Sequence, residues 1–136
     1  MLEGLIERLK QSEGFRDHVY KCTQGFDTIG YGFAIKDLRL SEEVSEIILK
    51  EKVEYLIERM VDRLDWFIEM PPEVQSVCVE MAYQLGLHGF CKFKKTISHL
   101  KEKEFKYAAD EMLDSLWAKQ TPNRANMLAQ IVREHG

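Results

Sequence analysis

Between Ser41 and Gly86 apolar residues recur at intervals of three and four, and the pattern is broken once, by Pro71-Pro72. Leu49, Val53, Leu56, Ile57, Met60 and Leu64 form one stripe. Ser41 followed by Glu42 and Glu43 is a helix-start signal, because acids favour the positive end of the helix dipole. The stripe predicts one long helix, or two in close succession, ending before the prolines. A second stripe, Val74, Val77, Cys78, Met81, Ala82 and Leu85, is closed by Gly86. Two such stripes need other helices to bury them, so most of the chain has to be helical.

The remaining segments follow the same logic with one exception. Leu2, Leu5, Ile6 and Leu9 predict a short helix over 3–12, stopped by Gly14. Phe105, Ala108, Ala109, Met112 and Leu113 mark another, and Thr121-Pro122 opens a last one through about Val132. From Phe15 to Phe33 the texture changes. Two aromatic and β-branched runs, "FRDHVY" and "FDTIGYGF", flank Lys21-Cys22-Thr23-Gln24-Gly25, which is turn chemistry and predicts a β-hairpin. The expected fold is therefore α+β and mostly α: a small N-terminal β lobe, a long connecting helix and a helical C-terminal lobe, with a cleft for ligands. At 136 residues this is a single domain, the N-lobe at about 13–60 and the C-lobe at about 65–136 together with helix 1–12.

Charge and cysteines narrow the function classes. A net charge of −4 disfavours a nucleic-acid partner, and Lys92, Lys94 and Lys95 read as a solvated loop. Cys22, Cys78 and Cys91 leave one thiol unpaired in any disulfide scheme, and no close His/Cys cluster suggests a metal. Cys78 lies in a core stripe. No cofactor is expected. The opening Met-Leu-Glu-Gly-Leu-Ile-Glu-Arg carries charges where a signal peptide needs an apolar core, and no run approaches the roughly 18 residues of a membrane span. The expectation is a monomer held in the cytoplasm, without membrane insertion.

Glu13 carries the most chemistry. It stands at the C-terminal end of the first helix, where the dipole disfavours a second negative charge, and Phe15 and Tyr20 can add apolar surroundings. Both effects raise a carboxyl pKa, as a general acid near neutral pH requires. Periodicity alone does not separate this from a solvated surface glutamate.

Glu13, eight intervening residues, Cys22, five more and Thr28, set among Gly14, Tyr20, Gly25, Ile29, Gly30 and Gly32, resemble the phage-type lysozyme family of T-even bacteriophages and many endolysins. "MAYQLG" with Gly89, Phe90 and Phe93 is a second similar block, and "SLWAKQTPNRA" a third, in the family's order. The short segment between Phe33 and Ser41 departs from it, as does the acidic net charge. The resemblance implies a muramidase that cuts the β-1,4 bond between N-acetylmuramic acid and N-acetylglucosamine in bacterial peptidoglycan, waiting in the host cytoplasm until it is released to the wall. It implies Glu13 as general acid and Cys22 and Thr28 as the groups that activate or place water. Gly32, Tyr83, Gln84, Thr96 and Arg124 are implied as substrate-binding residues, Arg124 as the partner of the acid across the cleft. For Tyr83 and Gln84, the polar edge of a core helix is an equal reading, and Trp117 reads as core rather than as a sugar platform.

Cys22 stands where relatives carry aspartate. An ordinary thiol, with a pKa of about 8.5, is mostly neutral at pH 7. Three roles stay open: a thiolate base, a nucleophile giving a thioglycosyl intermediate, or a spacer beside a water held by Thr28. Asp17 and Asp27 are alternative charges, but Asp27 adjoins Thr28 and points to the opposite face of an extended strand. Two other function classes remain: a wall-binding module that has lost catalysis, and a lyase-like variant forming anhydromuramic products.

Overall fold

A computed structural model describes residues 2–136. Its elements run α1 (Leu2–Glu13), β1 (Arg16–Lys21), β2 (Asp27–Gly30), β3 (Phe33–Ala34), α2 (Glu42–Arg63), α3 (Pro72–Cys91), α4 (Lys94–Lys101), α5 (Phe105–Leu113), α6 (Leu116–Gln120) and α7 (Pro122–Arg133), so the fold is α+β and mostly α. Single turns of 3-10 helix follow β3 at Ile35–Asp37 and α2 at Phe67–Glu69. Among the described residues no helix is long and apolar enough to cross a membrane.

The chain divides into two compact units, one ending at Ser45 and one spanning Glu46–Gly136. This division differs from the expected one in two places. The boundary falls within the first turn of α2, and α1 groups with the sheet instead of with the helical unit. Its last turn explains why: Lys10 Nζ lies 5.9 Å from the centre of the Tyr31 ring, and the Glu13 side chain lies over Gly32.

In the first unit three strands form one antiparallel sheet in the order β1-β2-β3. Tyr20 stands opposite Thr28 and Lys21 opposite Asp27, and an irregularity separates them from the Arg16–Gly30 pair. Such bulges re-aim side chains and are common beside active sites. Thr28 then pairs with Ala34 and Ile29 with Phe33. Alternation along β2 sends Asp27 outward, 2.7 Å from Lys21 Nζ, and Thr28 inward. Among the described residues of this unit Thr28 is the one that is buried.

The second unit contains the apolar core. Met60 of α2, Val74, Val77, Cys78, Met81 and Phe90 of α3, Leu100 of α4, Met112 of α5 and Leu128 and Val132 of α7 are all buried. Each such side chain contributes roughly 1.5–3 kcal/mol of burial free energy. Helix α5 packs against α4 and α7, and α7 also meets α3 and α6. Helix α2 is one continuous helix, capped by Ser41, whose Oγ accepts the Val44 N–H at 3.1 Å. At Gly86 (φ +79°, ψ +153°) α3 leaves the helical conformation and resumes one residue later, so the expected helix stop is a kink.

Two expectations give way here. Lys94 and Lys95 are not in a solvated loop; they open α4. Its apolar positions are too few for periodicity to reveal it. Thr121 does occupy the N-cap of α7 ahead of Pro122, but its hydroxyl donates backward to the Trp117 carbonyl at 3.0 Å and does not cap the new helix.

Candidate active site

The first unit gathers Glu13, Cys22, Thr28 and Gly32 around its hairpin. Helix α1 ends where the Gly14 N–H donates to the Lys10 carbonyl at 2.9 Å, which leaves Glu13 at the helix's negative end. The Glu13 carboxylate is exposed and lies against the backbone of the β2–β3 turn. A Cβ built on Gly32 would overlap Glu13 Oε2 and come within 3.1 Å of its Cδ. Gly32 also has φ +77°, a conformation that costs other residues roughly 1–2 kcal/mol. Gly32 therefore acts as a seat for the carboxylate. We expect Gly32→Ala to lose wall-clearing activity out of proportion to stability. A thermal melt shifted by only a few degrees beside a clearing rate reduced at least tenfold would establish this, and a clearing rate that follows the melt alone would not.

Cys22 begins the β1–β2 turn. Its N–H donates to the Phe26 carbonyl at 2.9 Å, and the Gly25 N–H donates to the Cys22 carbonyl at 2.9 Å. This tight turn directs backbone N–H groups at the sulfur. Those of Phe26 and Gln24 hold the thiol below its ordinary pKa, partial burial opposes them, and the Thr28 hydroxyl and the Gly25 N–H add to the lowering. Thr28, 4% exposed, donates from Oγ1 to the Phe26 carbonyl at 2.9 Å. A hydroxyl has one proton, so Thr28 donates either to that carbonyl or to a thiolate at Cys22, never to both. The Thr28 hydroxyl is thus within reach of a Cys22 thiolate. Asp17 is held below the usual carboxylate range by His18, 2.8 Å away, and that exposed pair lies on β1 apart from the hairpin turn.

The other two thiols carry no such chemistry. Cys78 is buried in the core, where desolvation pushes its pKa up to about 12. Cys91 is half-buried at the end of α3. All three are free, and among the described residues no group of His, Cys, Asp and Glu is placed to hold a metal ion.

The expected substrate residues of the second unit fall into two places. Arg124 Nε donates to Glu80 Oε2 at 2.7 Å, and both line a cavity of about 560 Å³ with Tyr83 and apolar residues of α2 and α3. Glu80 gave no sign in the sequence, because its partner lies 44 residues further along the chain. Gln84 is half-buried and accepts the Trp117 indole N–H at 2.9 Å. Trp117 is itself 4% exposed and packs edge-on to Phe93 at 5.9 Å, so it is core, as expected. Gln84 thus ties α3 to Trp117 of α6. Thr96 is buried in the wall of a second cavity, of about 580 Å³, together with Trp117, Lys94, Lys95, Glu111 and Asp114.

Residues 10–133 match the model of the phage lysozyme family. The probable T4-type lysozyme 1 of Dictyostelium discoideum is 27% identical over 161 residues, covering 97% of this chain and 95% of the relative. The probable T4-type lysozyme 2 of the same organism is 27% identical over 160 residues, covering 96% and 94%. The pre-baseplate central spike protein Gp5 of Enterobacteria phage T4 is 26% identical over 157 residues, which span 95% of this chain but 27% of that protein. An alignment of 161 positions against a chain of 136 requires at least 25 positions that the Dictyostelium relative fills and this chain lacks. Residues 35–41, from β3 to α2, form one 3-10 turn and a short link and leave little room for elaboration.

Proposed function

This chain belongs to the phage lysozyme family, and on that footing we propose that it is a muramidase that hydrolyses the β-1,4 bond between N-acetylmuramic acid and N-acetylglucosamine in bacterial peptidoglycan. The observation that carries this reading is the hairpin. The family match covers Glu13, Cys22 and Thr28, and the same short sheet seats Glu13 on Gly32 and pairs the Cys22 sulfur with the Thr28 hydroxyl.

Cleaving a glycosidic bond passes through an oxocarbenium-like transition state, so the leaving oxygen needs a proton and the anomeric carbon an electron-rich partner. Glu13, as the carboxylic acid, gives its proton to the glycosidic oxygen while the bond from that oxygen to the anomeric carbon breaks. A water held by Thr28 attacks the anomeric carbon, and its proton passes to the Cys22 thiolate. The released sugar then carries a free reducing end. The backbone N–H groups of Phe26 and Gln24 at the Cys22 sulfur support this role, since they favour the thiolate over the thiol. Tyr83, Thr96 and Arg124 would hold wall substrate on the second unit. Lysis from within a host cell, after release to the wall, fits this reading.

Native protein added to purified walls is expected to lower turbidity and to release reducing ends together. Binding to the walls with no reducing ends released would reduce the protein to a wall-binding module.

A further inference from the structure

A smaller cavity, of about 390 Å³, lies between α2 and α3. Lys52, Tyr55, Leu56 and Arg59 line it from α2, at the three- and four-residue spacing that places them on one helix face. Tyr83 and the kink at Gly86 line it from α3. Among the described residues no acidic side chain lines it, whereas each of four larger cavities carries at least one carboxylate. Among the described residues neither Lys52 nor Arg59 forms a salt bridge. In a chain of net charge −4 a pocket bounded by two cations is distinctive, and the nearby acids of α2, Glu51, Glu54 and Glu58, line an adjoining cavity that shares Lys52 and Tyr55.

The remaining walls define what kind of anion fits. Tyr55 and Tyr83 are 62% and 44% exposed, so both rings are accessible beside the cations. The Arg59 guanidinium lies 5.7 Å from the centre of the Tyr55 ring, a cation–π contact that favours keeping it beside that ring. A Cβ built on Gly86 would meet nothing within 4 Å, and its positive φ keeps other residues out, so that side of the pocket stays open. Aromatic faces receive an apolar body, and a guanidinium receives a carboxylate through two parallel hydrogen bonds. The volume is within the range of small-ligand sites.

We propose that this pocket binds a carboxylate-bearing sugar, an N-acetylmuramic acid unit of the glycan, with Arg59 and Lys52 on its carboxylate and Tyr55 and Tyr83 against its ring. The choice of that sugar rests on the reading that peptidoglycan is the substrate. The pocket acts in selection of the acidic sugar over its uncharged neighbour and takes no part in bond cleavage.

N-acetylmuramic acid and N-acetylglucosamine differ by the lactyl carboxylate and serve as a matched pair of probes. Each is titrated into the native protein while the backbone amide resonances are followed. N-acetylmuramic acid should shift the amides of residues 52–59 and 82–87 at least tenfold more strongly than N-acetylglucosamine at equal concentration, and added salt should weaken it. Arg59→Gln and Lys52→Gln, at exposed or half-exposed sites, should each remove most of that difference while the rest of the spectrum is unchanged. Equal response to the two sugars, an equal response to inorganic phosphate, or a preference that survives both substitutions would overturn the assignment. Reducing-end release is read separately, so failure of the muramidase reading and failure of this pocket give different results.

Discussion

Replacing Glu13 by glutamine is expected to abolish wall clearing and to leave the fold intact. Glutamine has nearly the shape of glutamate, so its amide can rest on Gly32 as the carboxylate does, but it has no acidic proton to give. Glu13 is exposed at the end of α1 and makes no salt bridge among the described residues, so its loss takes little from stability. Removing a general acid typically costs a factor of about 10² to 10⁴ in rate. The circular dichroism spectrum and melting temperature should match those of native protein, with clearing reduced by at least about two orders of magnitude. Clearing at the native rate would show that the acid is another group.

The second large effect concerns Cys22. Cys22→Ala removes the sulfur that the Phe26 and Gln24 amides address and should lose most activity. Cys22→Asp restores a negative charge at the same turn and should stay active. The two active forms should differ in pH dependence, and the sign follows from the groups. A base works when deprotonated, so activity rises as pH passes upward through its pKa. The native rise occurs at the lowered Cys22 thiol, whereas in Cys22→Asp it moves down toward the ordinary carboxyl value of about 3.9. A Cys22→Ala protein with native activity and an unchanged pH profile would make the residue a spacer. Retention of configuration in the first product, read by anomeric NMR, would instead point to Cys22 as a nucleophile.

Much of this was legible in the order of residues, for physical reasons that vary along the chain. The stripes of α2 and α3 are long enough that helical periodicity outweighs local noise, and Ser41 caps α2 as its position announces, its Oγ accepting the Val44 N–H. Thr121 shows the limit of that logic: it sits at a cap position, yet the Trp117 carbonyl one turn back takes its proton. Helices α4 and α6 span 8 and 5 residues, too short for a stripe to declare itself, so Lys94 and Lys95 read as loop.

The site divides along the same line. Glu13, Cys22 and Thr28 lie within 16 residues of one another, and the turn chemistry at 21–25 between two extended runs predicts the hairpin that carries two of them. The amides that lower the Cys22 thiol do not show in the sequence, because they follow from the path of the turn rather than from residue type. The Arg124–Glu80 and Gln84–Trp117 pairs join residues 44 and 33 positions apart. Nothing local announces such contacts. The role of Gln84 in holding Trp117 emerges only once α3 and α6 are packed.

Mass analysis of the fragments released from purified peptidoglycan tests the central claim most directly, with native protein and Glu13→Gln side by side. Hydrolysis by native protein predicts muropeptides ending in reducing N-acetylmuramic acid, each carrying one added water, and almost none from Glu13→Gln. Fragments lighter by one water, ending in anhydromuramic acid, or equal release from both proteins, would contradict it.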